Sequence, residues 1–171
     1  MVLFSIFAFK YQKKKILDYY IMWNLIEDLK YGKIREKIVV CFLNQNIFTD
    51  DHLKLYSNEK KQVDFRNSEI IGELKSRTCK HDTYDSTMFG YNKIKYLKEQ
   101  NDNRVWKFYF LFTDGLYVWT FNKDQYEVRD FNHRERGVID QAYVDKKYLE
   151  KLTSLITSNS KLPDNWEEYI N

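Results

Sequence analysis

Hydrophobic and polar positions along this chain change period several times, and each change marks an element. Val2–Phe9 is an apolar run followed by Lys10 and Lys13–Lys15. Its charges lie on the wrong side for a signal peptide, it lacks a small-residue cleavage site, and it falls far short of the ~20 residues that span a bilayer. It reads as an N-terminal strand or helix packed on the domain. Ile16, Tyr19, Tyr20, Trp23, Ile26 and Leu29 recur at helical spacing, which predicts a helix over Ile16–Lys30. Gly32 interrupts that stripe. Lys33–Gln45 begins a second helix, whose Ile34, Ile38 and Val39–Leu43 leave almost no polar face, so it should be buried. Glu36 is the exception. It lies along the stripe of Val40 and Leu43, where an acid needs a partner or a metal; Lys33, Arg35 and Lys37 are the ordinary partners within reach.

Beyond this helix the period shortens. Ile47–Tyr56 alternates loosely and reads as a first strand, leading through Ser57–Lys61 into Val63–Arg77. In that stretch two β-forming runs flank Asn67, Ser68 and Glu69, a hairpin with its turn near Ser68. Thr78–Thr87 is polar, and its His81 and Asp82 make a weak metal-cluster candidate beside the commoner reading of a surface histidine. Met88–Gln100 is predicted as a helix. Val105–Phe112 is almost wholly apolar, as expected of a central strand buried on both faces, with the preceding helix as its crossover. Asp114-Gly115 signals a tight hairpin, and Leu116–Phe121 and Tyr126–Phe131 extend a meander turning at Asn122–Asp124. Arg129, His133, Arg134 and Arg136 follow in what reads as a polar loop. Asp145–Thr157 is predicted as an amphipathic closing helix with Tyr148, Leu149, Leu152, Leu155 and Ile156 inward, and Pro163–Ile170 as a tail docking through Trp166.

Composition narrows the class. The 171 residues suit a single domain, 1–171, with room for a real core, and 43% hydrophobic with 18% aromatic residues excludes disorder. A net charge of +3 permits a local phosphate-binding patch without demanding one. Cys41 and Cys79 make no disulfide framework, which points to a reducing, intracellular compartment. No membrane segment is visible.

The candidate chemistry lies in the hairpin. A turn centred on Ser68–Glu69 puts Asp64 opposite Glu73, with side chains ~4.5–5.5 Å apart at Cβ on one face. Lys75, two residues on, shares that face. Two carboxylates this close repel unless a cation sits between them, and an all-oxygen site suits Mg²⁺ or Mn²⁺ better than zinc. A lysine beside them can orient a water and neutralise an anionic transition state, which phosphodiester hydrolysis requires. The same spacing also occurs on exposed hairpins carrying an ordinary Glu/Lys pair.

Asp64, eight residues, then Glu73-Leu74-Lys75 after an apolar run resembles the signature of the PD-(D/E)XK nuclease superfamily, with Val63 where the name has proline. Gly32–Glu36, as G-x-x-x-E, is similar to the first-helix motif of several branches, resolvase-like ones included. The Gln-x-x-x-Tyr signature of the exonuclease branch is not evident. The resemblance implies an α/β (α+β) fold with the αβββαβ restriction-endonuclease-like core at about 32–112, extended by a β-meander and helix over 113–171. It further implies a Mg²⁺ (or Mn²⁺)-dependent endonuclease acting on DNA. Asp64, Glu73, Glu36 and the Leu74 carbonyl would hold metal, and Lys75 would act on the water. Arg77, Tyr91, Lys93, Lys95, Arg134 and Arg136 are the candidate DNA contacts. Many relatives dimerise, and Leu116–Phe131 is the candidate homodimer interface. A catalytically silent nucleic-acid-binding module on the same core is the alternative, and a small aromatic-rich scaffold a lesser one.

Overall fold

In the computed structural model, residues 27–56, 63–100, 102–133 and 136–170 are described. The expected N-terminal element at Val2–Phe9, most of the Ile16–Lys30 helix, the Ser57–Lys61 link and Arg134 lie outside them. The chain divides into two compact units, Met1–Ile34 and Arg35–Asn171. Of the first, only 27–34 are described, all helical, with Lys30 paired to Glu27 at 3.2 Å.

Helix α1 covers residues 27–46, so the break expected at Gly32 does not occur. One mid-helix glycine costs only about 1 kcal/mol relative to alanine, which a helix of this length tolerates. In the larger unit follow strands β1 (Lys54–Leu55), β2 (Phe65–Arg66), β3 (Ile70–Ser76) and β4 (Ser86–Gly90), and helix α2 (Asn92–Glu99). Strands β5 (Val105–Phe112), β6 (Gly115–Thr120), β7 (Tyr126–His133), β8 (Gly137–Asp145) and β9 (Glu150–Thr153) complete the order. The fold is mixed α/β. One six-stranded mixed sheet runs β1-β2-β3-β5-β6-β9, and a separate antiparallel sheet runs β4-β8-β7.

The parallel pairing of β3 with β5, Glu73 against Phe108, is the central contact the apolar β5 run predicts. Alternate β5 residues serve two cores. Tyr109 and Leu111 join Phe65, Ile70 and Leu74 under Val39, Val40 and Leu43 of α1. Trp106, Phe108, Phe110 and Phe112 join Ile71, Ile94 of α2, and Phe89, Ala142 and Val144 of the smaller sheet. Between β2 and β3, a Cβ on Gly72 would stand 2.0 Å from the Phe65 ring, so that glycine is the space the ring occupies.

Several expected elements take another form. Ile47–Tyr56 is a strand only at Lys54–Leu55. The Asn44 side chain bonds both the N–H (2.8 Å) and the C=O (3.1 Å) of Leu53, supplying the pairing a longer strand would have needed. Met88–Gly90 belongs to β4, because Thr87 and Phe89 alternate inward against β8, and α2 starts only at Asn92. The meander ends at β6. β7 leaves for the second sheet, and Arg129 and His133 lie on that strand instead of in a loop.

The closing helix is absent. Asp145 accepts the Lys147 N–H and sets a single 3₁₀ turn, Lys146–Tyr148, after which β9 pairs with the open edge of β6. Leu155, expected inward, is 83% exposed. With β5 and β9 on its edges and Leu116–Trp119 buried, β6 offers no interface surface, which removes that half of the expected dimer contact. The tail does dock through Trp166. Lys37 lies over its ring at 3.6 Å, and the Cys41 thiol donates to its carbonyl at 3.5 Å. Among the described residues, no helix is long and apolar enough to cross a membrane.

Candidate carboxylate–lysine site

The β2–β3 hairpin builds the site from its turn outward. Asn67 Oδ1 accepts the N–H groups of Glu69 (3.1 Å) and Ile70 (2.8 Å), and Asp51 accepts the Ser68 N–H at 3.0 Å, which pins the turn at Ser68. The resulting register pairs Phe65 with Gly72 and Arg66 with Ile71, and Asp64 lies just outside the ladder, beside β3, where the sequence predicts it directly opposite Glu73. The Asp64 N–H donates to the Gly72 carbonyl at 3.1 Å, and Asp64 Oδ2 accepts the Leu74 N–H at 2.7 Å. The Leu74 side chain meanwhile points into the α1-side core, so the residue meets the site through its backbone.

Glu73 is the centre. Its side chain is 1% exposed, and its Oε1 accepts from Lys75 Nζ at 2.7 Å and lies 3.0 Å from Lys93 Nζ. Its Oε2 is buried without a hydrogen-bond partner. A lone buried acceptor of this kind costs roughly 1–3 kcal/mol. Burial raises the Asp64 pKa to about 7, reinforced by the negative charges of Glu73 and Glu36, against the opposing Leu74 N–H and Lys75. Glu36 on α1 is therefore near enough to act on the hairpin, as the expected acidic cluster requires. Burial alone would lower the Lys75 pKa, but the Glu73 charge and hydrogen bond, with help from Asp64, raise it, so Lys75 is a cation here.

Two ammonium groups thus hold one oxygen of Glu73, while Asp64 is left protonatable by its burial and by the charges of Glu73 and Glu36. Among the described residues, no three His, Cys, Asp or Glu side chains are grouped as a ready chelate. The lysines already occupy Oε1. The unpartnered Oε2, the protonatable Asp64 and the all-oxygen donor set fit a hard divalent cation as the missing positive charge.

The other candidates are dispersed. Lys93, expected at phosphate, is a direct partner of Glu73; the first turn of α2 carries it there, and only its place just after a strand could have signalled it. Arg77 is tied to β4, donating to the Met88 carbonyl and to Thr87 Oγ1 at 3.3 Å. Tyr91 caps α2 beneath Lys95, whose Nζ is 5.0 Å from its ring and 3.1 Å from Asp140. Arg136 is exposed at the β7–β8 turn. His81 is half-buried and stacks on Tyr117 at 4.1 Å. Sequence reasoning missed Lys146, a buried lysine that the polar start of an expected helix concealed. No protein-family model matches the sequence, and no curated protein matches it significantly either.

Proposed function

We propose that this chain is a metal-dependent endonuclease of PD-(D/E)XK type, hydrolysing DNA phosphodiester bonds inside the cell. The observation that carries the reading is Glu73, fully buried, with one oxygen held by two lysines and the other unpartnered, beside Asp64, whose pKa burial and the neighbouring negative charges raise to about 7. Asp64, Glu73 and the Leu74 carbonyl would hold Mg²⁺ or Mn²⁺, with Glu36 completing the acidic set. The ion would supply Lewis-acid stabilisation and an acidified water. Lys75 positions the attacking water and offsets charge on the phosphoryl oxygens. The Glu73 charge keeps Lys75 protonated, so a cation drawing charge from Glu73 would lower the Lys75 pKa and let it give its proton to solvent, leaving a neutral amine that can act as base. Lys93 fixes the Glu73 carboxylate, and Arg134 and Arg136 are candidate phosphate contacts. The order α1, β1–β3, α2, β5, interrupted before α2 by β4 of the second sheet, supports the restriction-endonuclease-like core at about 32–112. A homodimer would let two such sites cut both strands.

The test is cleavage of supercoiled, linear, branched and single-stranded DNA with Mg²⁺ and with EDTA, by wild-type protein and Glu73→Gln. Divalent-dependent cleavage should fall at least 100-fold in the variant; undiminished cleavage by clean Glu73→Gln removes the assignment. A second reading, a silent nucleic-acid-binding module, is favoured by one observation: Lys75 and Lys93 already neutralise Glu73 without an ion. It predicts DNA binding that EDTA leaves unchanged, and no cleavage.

A further inference from the structure

A second cleft lies where the end of β5 meets β4 and β8, with a volume of about 410 Å³. Its walls include the rings of Tyr84, Phe112, Phe131 and Tyr143, and it also holds Arg77 and Lys146. Lys146 is the anomaly. The 3₁₀ turn capped by Asp145 turns it inward, its N–H is held by the Asp85 carbonyl at 2.9 Å, and the residue is only 7% exposed. Its Nζ has no hydrogen-bond partner. It lies 5.0 Å from the Phe112 ring and 5.9 Å from that of Tyr84, contacts that offset only part of the cost of desolvating an ammonium group.

Burial lowers the Lys146 pKa and outweighs the opposing influence of Cys79, which also lines the cleft, and of Asp114, Asp82 and Asp85, none of them in an ion pair with it among the described residues. Arg77 is in the same condition. Its donors go to neutral oxygens of β3 and β4, and burial lowers its pKa as well. Two cations without a carboxylate partner thus share one aromatic-walled cleft. An unpaired buried charge is costly, and a volume of a few hundred Å³ with few, convergent polar groups is the usual form of a small-ligand site.

We infer that this cleft binds a planar aromatic ring carrying one acidic group, the ring against the aromatic wall and the acid on Lys146 Nζ. A free aromatic carboxylate and a mononucleotide both present that chemistry. The cleft and its ligand do not depend on the nuclease assignment, since no residue of the Asp64–Glu73–Lys75 group lines it.

Titration calorimetry on the full chain, with EDTA present, tests the inference. The paired probes are 2-naphthoate against 2-naphthol, and 5′-dTMP against thymidine. At least one acid should bind at least tenfold tighter than its neutral twin, and the acid that does so identifies the source. In Lys146→Met, close in volume but uncharged, that preference should collapse to under twofold while the free protein melts no lower than wild type. Equal binding of acid and neutral twin by wild-type protein, or a preference that survives in Lys146→Met, overturns the inference. Should Lys146→Met fail to fold, Tyr143→Ala takes its place: removing one wall should weaken the bound acid at least tenfold, and unchanged affinity overturns the inference equally.

Discussion

At the scale of single residues, Asp64 records the electrostatic state of the site. Its pKa is about 7, whereas an unfolded aspartate titrates near 3.8. In EDTA the native protein therefore binds more protons than the unfolded chain across that window. The contribution of Asp64 to stability is greatest below about pH 4, falls as pH rises toward 7, and levels off above. The loss is on the order of 3 kcal/mol, from three pKa units at about 1.4 kcal/mol each, discounted for partial solvent access. Asp64→Asn keeps an acceptor for the Leu74 N–H and abolishes the titration. Urea unfolding should show the variant and the wild type within about 1 kcal/mol at pH 4.5, and the variant more stable by about 2–3 kcal/mol at pH 8. A gap that does not widen with pH would mean that Asp64 is neither desolvated by burial nor crowded by Glu73 and Glu36. Glu73→Gln should behave in the opposite sense. It leaves Lys75 and Lys93, 29% and 17% exposed, without their counter-charge, and should cost about 2–4 kcal/mol at pH 7 in the same assay.

At the scale of elements, the β2–β3 hairpin was legible because turn chemistry and alternation agree. Asn67 and Ser68 sit where the chain must reverse, and period 2 then commits Glu73 and Lys75 to one face of β3, with Asp64 brought beside them at the end of β2. The same alternation explains why Gly72 is indispensable. Gly72→Ala would drive a methyl group into the Phe65 ring, which is wholly buried beneath α1 and has no room to retreat. We expect a loss of about 1–3 kcal/mol, partly recovered by Phe65→Leu in a double-mutant cycle; independent, additive effects would show that the ring and the glycine do not share that space. Elements were misread where an edge elsewhere in the fold decided the outcome. Met88–Gly90 carries a helical stripe as readily as a strand, and only the distant β8 makes it a strand. Leu149, Leu152, Leu155 and Ile156 likewise satisfy a helix on paper, yet the open edge of β6 recruits Glu150–Thr153 as β9. Local periodicity carries no information about which edge lacks a partner.

At the scale of the whole larger unit, the site is assembled from parts separated in sequence: Glu36 from α1, the hairpin carboxylates and Lys75, and Lys93 from α2. The hairpin contribution could be read from spacing. That of Lys93 could not, because a lysine early in a helix looks the same whether it faces solvent or a buried glutamate. This assembly makes ion binding a property of the folded state alone, since the unfolded chain holds no such group of carboxylates. A ligand that binds only the native state adds about 2.7 kcal/mol at one hundred times its dissociation constant. For a domain of this size, that shifts the melting midpoint by about 5–10 °C. Mg²⁺ or Mn²⁺ should therefore raise the midpoint of the wild type above its EDTA value at pH 7.5, while Na⁺ at matched ionic strength should not. The rise should vanish in Glu73→Gln, which loses the free oxygen, and shrink in Glu36→Gln. Lys93→Met should enlarge it, because removing one resident cation from Glu73 Oε1 leaves more charge for the ion to meet. A midpoint indifferent to divalent ions in all four proteins would leave the two lysines as the permanent counter-charge of Glu73, and would shift the balance to a DNA-binding module without chemistry.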